Sequence, residues 1–252
     1  MREAGALDPA RLRDDFRRRR GHWHDDWEAM LAYSPAYVAA YLDYSVYAAE
    51  RGVLSPKLIE LIYVATNCSP THMFARGLSN HARQALALGA TREELLSVAA
   101  TVSAMGIHSY LLTAAAVAEL VPEAGPAPDP AVVAPVAAKH AALFGEMCET
   151  FETGLNADPA FYDCWLEFAA APLRGAQAAL SPKDANLIAL AVHAQCTQLN
   201  PAGVRQHARA AIAHGASAQE VLDVGRLISS MGIHAMVFAL PLINELDSGR
   251  AE

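Results

Sequence analysis

The sequence is poor in charge, and positive charge is the scarcer kind. Only 18% of its 252 residues are charged, and the formal net charge is −8. Because affinity for nucleic acid depends on clustered Lys and Arg, we expect no nucleic-acid partner. The one basic cluster, Arg17 to Arg20, lies between pairs of aspartates and is interpreted as a solvated helix end.

Cysteine is also scarce. The four cysteines, Cys68, Cys148, Cys164 and Cys196, are far apart, and no two form a Cys-x-x-Cys pair. The first twenty residues contain no apolar segment of the signal-peptide type. Together these features predict a reducing, cytoplasmic location.

Common catalytic motifs are missing as well. The sequence contains no Gly-rich phosphate loop, no Gly-x-Ser-x-Gly elbow and no Cys/His pair of recognisable spacing. Histidines at the compact His-x-x-x-His spacing are absent too, so we predict no metal site. Three histidines together with Glu60 remain an alternative set of ligands for a divalent metal.

Apolar residues are abundant, at 53% of the chain. The two longest apolar stretches, 98–121 and 224–246, approach the length of a membrane span. Both contain polar residues, namely His108 in the first and Arg226 in the second among others. We therefore predict buried helices of a soluble protein and no membrane partner.

An internal repeat is the main positive signal. Residues 54–108 align without a gap on residues 180–234, an offset of 126. From His81 to His108, 15 of the 28 aligned positions are identical, which shared composition does not explain. The similarity extends upstream at an offset of 124, where "SPAYVAAYLDY" matches "DPAFYDCWLEF".

The repeat predicts a fused tandem pair. We divide the chain into an N-terminal helical arm (1–29), a first unit (30–121), a Pro-rich linker (122–135) and a segment (136–252) with a connecting helix and the second unit. The prolines and glycine of "VPEAGPAPDPAVVAP" predict irregular structure there. A helix near 131–153 is expected to lead into the second unit.

Helix signals are clear in each unit, and strand signals are nearly absent. Ser55-Pro56 and Ser181-Pro182 each place an N-cap before an N1 proline. The sequences "TREE" and "SAQE" are capping boxes that follow a helix-ending glycine. Apolar residues after them keep a helical period, so the predicted fold is all-α.

His81 and Glu60 are the main candidates for chemistry. His81 shares an apolar helical stripe with Leu78, Ala85 and Leu88 that is expected to face the core. Glu60 is a carboxylate among apolar residues, and burying it is costly unless it is paired. It is therefore a candidate partner of His81 or of His72. A buried histidine with a structural role is the alternative for His81.

His72 stands beside Thr71 in the polar break before this helix, where loop side chains often reach a pocket. An exposed loop histidine is the alternative interpretation. In the second unit the equivalents of Glu60 and His72 are Asn186 and Gln198, while His207 repeats His81.

The "MGIH" motif occurs once in each unit, at His108 and His234. These histidines interrupt apolar helices, and the adjacent Gly106 and Gly232 favour a close helix packing point. His108 is also a candidate substrate contact.

Arg83 and Arg209 follow the repeated histidines by two residues and are candidate clamps for an anionic substrate. A solvated helix face is the equal alternative.

The pattern H-A-R-x-A-x-x-x-G-A-[ST]-x-x-E, present in both units after "LSPK", resembles the carboxymuconolactone decarboxylase family with its alkylhydroperoxidase D-like members. The resemblance covers roughly 54–121 and 180–246 and is similar to the branch with two fused domains. It implies two fused helical repeats of the alkylhydroperoxidase D-like fold. It also implies ring assembly, so we expect a homo-oligomer, a trimer or dimer of the tandem chain.

Thiol peroxidases of this family carry a Cys-x-x-Cys pair just before the motif histidine. Here those positions hold Phe74 and Gly77 in the first unit, and Asn200 and Gly203 in the second. The resemblance therefore argues against thiol peroxidase activity.

The decarboxylase-like members act without a cofactor on carboxylated lactones or unsaturated acids from aromatic catabolism. By this resemblance His81 is the proton shuttle, Glu60 its orienting partner, His72 a second acid/base group, and Arg83 a carboxylate clamp. Thr71, His108, His207 and Arg209 are further candidate contacts to a small anionic substrate. Hydrolysis or isomerisation of a similar substrate, or non-catalytic binding of a small ligand, are the alternatives.

Overall fold

A computed structural model describes residues 7–121, 128–174 and 179–247. In these ranges the regular structure is helical and includes no strand, which confirms the all-α prediction. The first half contributes α1 (Pro9–Arg20), α2 (Asp25–Tyr33), α3 (Pro35–Glu50), α4 (Pro56–Cys68), α5 (Ala75–Ala87), α6 (Arg92–Ala104) and α7 (Ile107–Leu120). The second half contributes α8 (Pro130–Phe144), α9 (Glu149–Ala157), α10 (Pro159–Ala170), α11 (Pro182–Ala194), α12 (Pro201–Ala213), α13 (Ala218–Ser229) and α14 (His234–Asp247).

The predicted helix starts are present. The hydroxyls of Ser55 and Ser181 accept backbone hydrogen bonds at the starts of α4 and α11, each with proline at the first position. Thr91 and Ser217 form capping boxes that open α6 and α13. Gly89, just beyond α5, has a φ of 86° that favours glycine.

The repeat is longer than the two predicted units. Gly21 after α1 and Gly145 after α8 occupy equivalent positions at the offset of 124, and both have positive φ. The core residues Trp27 and Phe151 are equivalent at the same offset. Among the described residues, the α-helices α1 to α7 thus correspond one by one to α8 to α14, so α1 and α2 of the N-terminal arm take part in the repeat.

The two repeats interlock through their last helices. A central core combines α4, α5 and α6 with α11, α12 and α13. A second cluster packs α1, α2 and α3 against α14, and a third packs α8, α9 and α10 against α6 and α7. Each repeat therefore covers its first three helices with a helix from the other repeat, and neither repeat can bury its apolar surface alone.

The predicted linker is shorter than expected. Pro130 begins α8, and Asp129 caps it by accepting a bond from the backbone of Ala131. Proline at the first helical position stabilises a helix start, so the prediction of irregular structure through residue 135 was wrong for 130–135. The single helix predicted near 131–153 is two helices, separated by Gly145, whose φ of 73° favours glycine. Residues 122–127 lie outside the described ranges.

The long apolar stretches are only partly buried. Arg92–Leu120 and Ala218–Leu246 are long and apolar enough to cross a membrane by length and composition alone, and 39% of each apolar window is buried. Val98 and Val224 are fully buried in the central core. The outer faces of α7 and α14 instead expose apolar side chains, among them Leu112, Leu120, Phe238 and Leu246. The predicted burial applies to one face of each stretch.

Candidate functional site

Glu60 on α4 and His81 on α5 form a paired acid and base. The Nδ1 nitrogen of His81 lies 2.7 Å from the Oε2 oxygen of Glu60, and each side chain is only about an eighth exposed, at 12% and 13%. The imidazole also stacks on Tyr63 at 4.5 Å between ring centres. A Nδ1–H that donates to the carboxylate leaves Nε2 free to accept a proton.

The apolar stripe predicted for α5 reaches the core only in part. Ala85 is fully buried, but Leu88 is 48% exposed because it lies beyond the last helical residue. His81 itself sits at the edge of the core, where one ring face contacts protein and the ring borders a cavity.

A cavity beside His81, which we call the first cavity, is lined by Arg20, His22, Trp27, Tyr41, His81 and His234. An adjoining chamber shares Arg20, His22 and His81 and adds Glu60, Tyr63 and Leu227. The imidazole of His81 thus separates two spaces that belong to one site. An open groove outside it is bordered by His22, His24 and Arg83.

Arg20 is an inward-pointing cation of the first cavity, which Arg76 also lines in an ion pair with Asp26. It follows Leu12 and Phe16 at helical spacing, so it continues the buried stripe of α1, and it lies over the rings of Phe16 and Tyr41 at 5.9 and 5.6 Å. Burial acts to lower the pKa of Arg20, but the hydroxyls of Tyr41 and Tyr63 and the Glu60 carboxylate outweigh it and leave that pKa raised. Its Nε–H has no hydrogen-bond partner among the described residues.

The interpretation of Arg17 to Arg20 as a solvated helix end was therefore wrong for one residue. Arg17 and Arg18 pair with aspartates of their own helix, and Arg19 pairs with Glu50 and Asp43. Arg20 points inward instead.

Other polar groups of the first cavity also lack partners. The Nδ1 atom of His22 and the Nε1–H of Trp27 are buried, with no hydrogen bond to the described residues. Burial, and then the nearby charge of Arg20, lower the pKa of His22 to about 3, so its ring is neutral at pH 7. Buried polar atoms are normally satisfied, so these groups indicate a place for water or a polar ligand.

His234 enters the first cavity from the other repeat. Its Nδ1 lies 2.8 Å from Nε2 of His72, and the two rings are nearly parallel. His72 lines an outer groove with Phe238 and Leu242. His72 therefore approaches the first cavity through His234, and it does not contact Glu60 as one alternative had proposed.

The turn that holds His72 is strained in the same way in both repeats. Met73 and its equivalent Leu199 have φ values of 46° and 44°, in the left-handed region that residues other than glycine rarely adopt. Three backbone bonds close the turn, including one from Phe74 N–H to Asn67 C=O at 2.9 Å. These bonds fix the backbone that carries His72.

Three other predicted contacts lie away from the first cavity. Arg83 is exposed on the open groove, and Arg209 is exposed and lies 3.6 Å from Glu146. The Thr71 hydroxyl lies 3.1 Å from that of its repeat equivalent Thr197, so it sits on the axis that relates the two repeats.

The second repeat has a cavity of its own, which we call the second cavity. It is lined by His108, Phe144, Phe151, Trp165, His193 and His207. The Nδ1–H of His207 donates to Oδ1 of Asn186 at 2.9 Å, and His193 stacks on His207. His108 belongs here, 3.1 Å from His193, and not with His81.

The packing role proposed for the "MGIH" glycines was wrong. A Cβ at Gly232 would meet nothing within 4 Å, and one at Gly106 would make only an ordinary contact. What the two motifs share is that each histidine lines the cavity of the other repeat, His108 the second and His234 the first.

Acid is expected to unfold the protein through the histidines of the second cavity. Burial lowers the pKa of His108 to about 4 and that of His207 to about 3, and lowers that of His193 further. In the unfolded chain the pKa of histidine is about 6.5. At a pH below that value the unfolded chain binds protons that the folded chain does not. Stability is therefore highest above pH 6.5 and is lost as pH falls toward 4, by on the order of 2 kcal/mol per histidine at pH 5.

Denaturant unfolding at pH 7.5, 6 and 5 measures this dependence. A free energy of unfolding that stays level or rises toward pH 5 contradicts the burial of neutral imidazoles.

Comparison with known proteins agrees with this architecture. The carboxymuconolactone decarboxylase family model matches residues 35–120, within the first repeat. A crystal structure from Burkholderia xenovorans LB400, of a protein provisionally named a gamma-carboxymuconolactone decarboxylase subunit, is 30% identical with a TM-score of 0.89. The alignment covers 98% of this chain and 100% of that one. The chain belongs to the carboxymuconolactone decarboxylase family. No curated protein matches its sequence.

The structure leaves no room for a side chain at one of the two cysteine positions in either repeat. The second cysteine position of the thiol peroxidases is Gly77 here, and a Cβ there would lie 2.4 Å from the Oδ1 atom of Asn67. At the equivalent Gly203 a Cβ would lie 2.5 Å from the ring of His193. Burial raises the pKa of the nearby Cys68 thiol to about 11, which disfavours the reactive thiolate.

We expect Gly77→Ala to lower the free energy of unfolding by about 1–3 kcal/mol, because the added methyl group must displace Asn67 or distort α5. Gly106→Ala is the matched control, since its nearest contact is 3.7 Å away, and we expect a change within about 0.5 kcal/mol. Denaturant unfolding monitored by circular dichroism compares the two. Equal stability of Gly77→Ala and wild type contradicts the close packing described here.

Metal ligation has no arranged site in the described part of the chain, where no group of three or more His, Cys, Asp or Glu side chains could hold an ion. Glu60 is hydrogen-bonded to His81, whereas His72 is hydrogen-bonded to His234 and not to Glu60. The alternative set of three histidines and Glu60 is thus not assembled around one point.

Sequence reasoning missed most residues of the first cavity in this family member, among them Arg20, His22 and His234. The position of Arg20 four residues after Phe16 was a usable signal, because Leu12, Phe16 and Arg20 share one helix face. A second usable signal was the offset of 124 between Gly21 and Gly145, because it places the N-terminal arm inside the repeat. No local signal shows that His234 lines the cavity of the other repeat.

Proposed function

We propose that this protein is a cofactor-free acid/base enzyme that acts on a small carboxylated lactone or unsaturated acid in the first cavity. The observation that carries the proposal is the His81–Glu60 pair on a cavity that also contains the inward cation Arg20. A proton-transfer group beside an anion-binding group suits a carboxylated substrate. Family membership and the name of the similar protein agree with decarboxylation.

In the proposed mechanism His81 moves the proton. Its Nδ1–H donates to Glu60, so Nε2 accepts the proton of the reacting carboxyl group of the substrate, and the Glu60 carboxylate stabilises the imidazolium that forms. If carbon dioxide is lost, the electron pair of the broken C–C bond passes into the conjugated carbonyl system. The imidazolium then returns its proton to carbon. Arg20 binds a carboxylate of the substrate through its free N–H.

We assign the reaction to the first cavity because the two histidines have different partners. Asn186 accepts a hydrogen bond from His207, but a neutral amide stabilises an imidazolium less than a carboxylate does. Phe144 stands at the repeat equivalent of Arg20, so the second cavity also lacks the cation.

A panel of carboxylated lactones and unsaturated diacids, followed by mass spectrometry, tests the proposal. Loss of carbon dioxide indicates a decarboxylase, gain of water a hydrolase, and a changed retention time at constant mass an isomerase. We expect turnover to survive a chelator. No turnover across the panel, together with a tightly bound copurified ligand, would instead support a non-catalytic binding protein.

We also propose that copies of the chain associate. The exposed apolar faces of α7 and α14 include Leu112 at 62%, Leu120 at 78% and Phe238 at 74% exposure. Apolar patches of this kind mark interaction sites in soluble proteins. Sedimentation velocity is expected to show a dimer or trimer, and Leu120→Glu with Phe238→Glu to reduce its fraction. A monomer at all concentrations contradicts this assembly.

A further inference from the structure

The second cavity has lost every charge that defines the first. At equivalent positions Arg20 is replaced by Phe144, and Glu60 by Asn186. The remaining titratable groups on its wall include His108 and His207, which burial keeps neutral at pH 7. Rings from Phe144, Phe151 and Trp165 make up much of the rest.

Two residues that line this cavity, Thr101 and His193, carry polar atoms without hydrogen-bond partners. The Oγ1 atom of Thr101 and the Nδ1 atom of the fully buried His193 form no hydrogen bond with described residues. A wall that served packing alone would not leave such atoms unpaired, because each costs about 1–3 kcal/mol. They indicate water or a ligand with its own hydrogen-bonding group.

The space suits a single small ring. Ala189 is the repeat equivalent of Tyr63, which lines the chamber beside the first cavity, so the wall of the second cavity lacks one phenol ring at this point.

We infer that the second cavity is a separate binding site for an uncharged six-membered ring with one hydroxyl or amide group. The aromatic walls contact the ring, and the neutral histidines and Thr101 bind its polar group. The absence of a cation excludes carboxylates, which are directed to the first cavity. The two repeats thus hold ligands of different charge. This inference does not depend on the reaction proposed for His81.

Trp165 reports on this site directly. The chain contains three tryptophans, Trp23, Trp27 and Trp165, and only Trp165 lines the second cavity. In a Trp23→Phe/Trp27→Phe protein we expect phenol to change the Trp165 fluorescence saturably, and benzoate to require at least tenfold higher concentration. No saturable response to phenol, or an equal response to benzoate, overturns the inference.

Two substitutions copy residues from the equivalent place in the chamber beside the first cavity. Ala189→Tyr fills the space, and Thr101→Leu, which imitates Leu227, removes the unpaired hydroxyl. In the same tryptophan background each is expected to weaken phenol binding at least tenfold, while His81→Ala leaves it unchanged.

Circular dichroism shows whether Ala189→Tyr folds. If it does not, two other measurements decide whether phenol binds in the second cavity: phenol binding by Thr101→Leu, and magnetisation transfer from phenol to the Trp165 ring in the unsubstituted protein. Phenol binding that survives Thr101→Leu, or no transfer to Trp165, places the ligand elsewhere and overturns the proposal. Loss of phenol binding in His81→Ala has the same consequence.

Discussion

His81→Ala is expected to lower kcat by about 10²–10⁴-fold on any substrate that the panel identifies, because general acid/base catalysis contributes about that much. His81 lies at the edge of the core, with its ring 12% exposed, and its main contacts are Glu60 and Tyr63. Alanine at this helical position should therefore leave the fold intact. Steady-state kinetics and circular dichroism measure the two properties separately.

Two controls sharpen this result. His214→Ala changes an exposed histidine at the end of α12 and is expected to match wild type. His207→Ala changes the equivalent histidine of the second cavity and tests which repeat works. If His207→Ala removes turnover as completely as His81→Ala, the reaction is not confined to the first cavity. If His81→Ala unfolds the protein, the histidine has the structural role considered above.

Glu60→Gln extends the same argument to the partner. The amide keeps the hydrogen bond to His81 but cannot stabilise the imidazolium electrostatically. We expect kcat to fall while KM changes little, since the loss concerns a charge formed during the reaction. Glu60→Gln gives His81 an amide partner, as His207 has in Asn186. The kcat of this variant therefore estimates the turnover that the histidine of the second repeat could support.

Arg20→Met is expected to raise KM about 10–100-fold for a carboxylated substrate. A hydrogen bond to a charged group contributes about 1.5–3 kcal/mol, and methionine preserves most of the apolar stem that packs on Phe16. The methyl ester of the same substrate lacks the charge, so it should bind equally weakly to wild type and variant. Kinetics on both compounds separate charge recognition from packing.

Arg19→Met and Arg83→Met are the matched controls for Arg20. Arg19 pairs with Glu50 and Asp43 on the surface, and Arg83 borders the open groove. We expect less than a threefold change in KM for each. If Arg83→Met raises KM as much as Arg20→Met, the clamp predicted from the motif is correct and the assignment to Arg20 is not.

The local features of the fold were readable in the sequence because each depends on neighbours along the chain. Ser55 before Pro56 and the Thr91 capping box begin helices wherever the backbone is free to form them. The repeat at an offset of 126 likewise predicted that Glu60 and Asn186 would stand at equivalent places. Helical spacing alone misplaced Leu88, because the helix ended one residue before it.

The composition of the two cavities was decided by tertiary structure. His234 reaches the first cavity and His108 the second because α14 and α7 cross to the opposite repeat. No pattern along the chain records that crossing, since it arises from the burial of apolar faces far apart in sequence. The sequence by itself determined the helices, the duplication and the His81 motif. Packing between the repeats decided which side chains meet in each cavity.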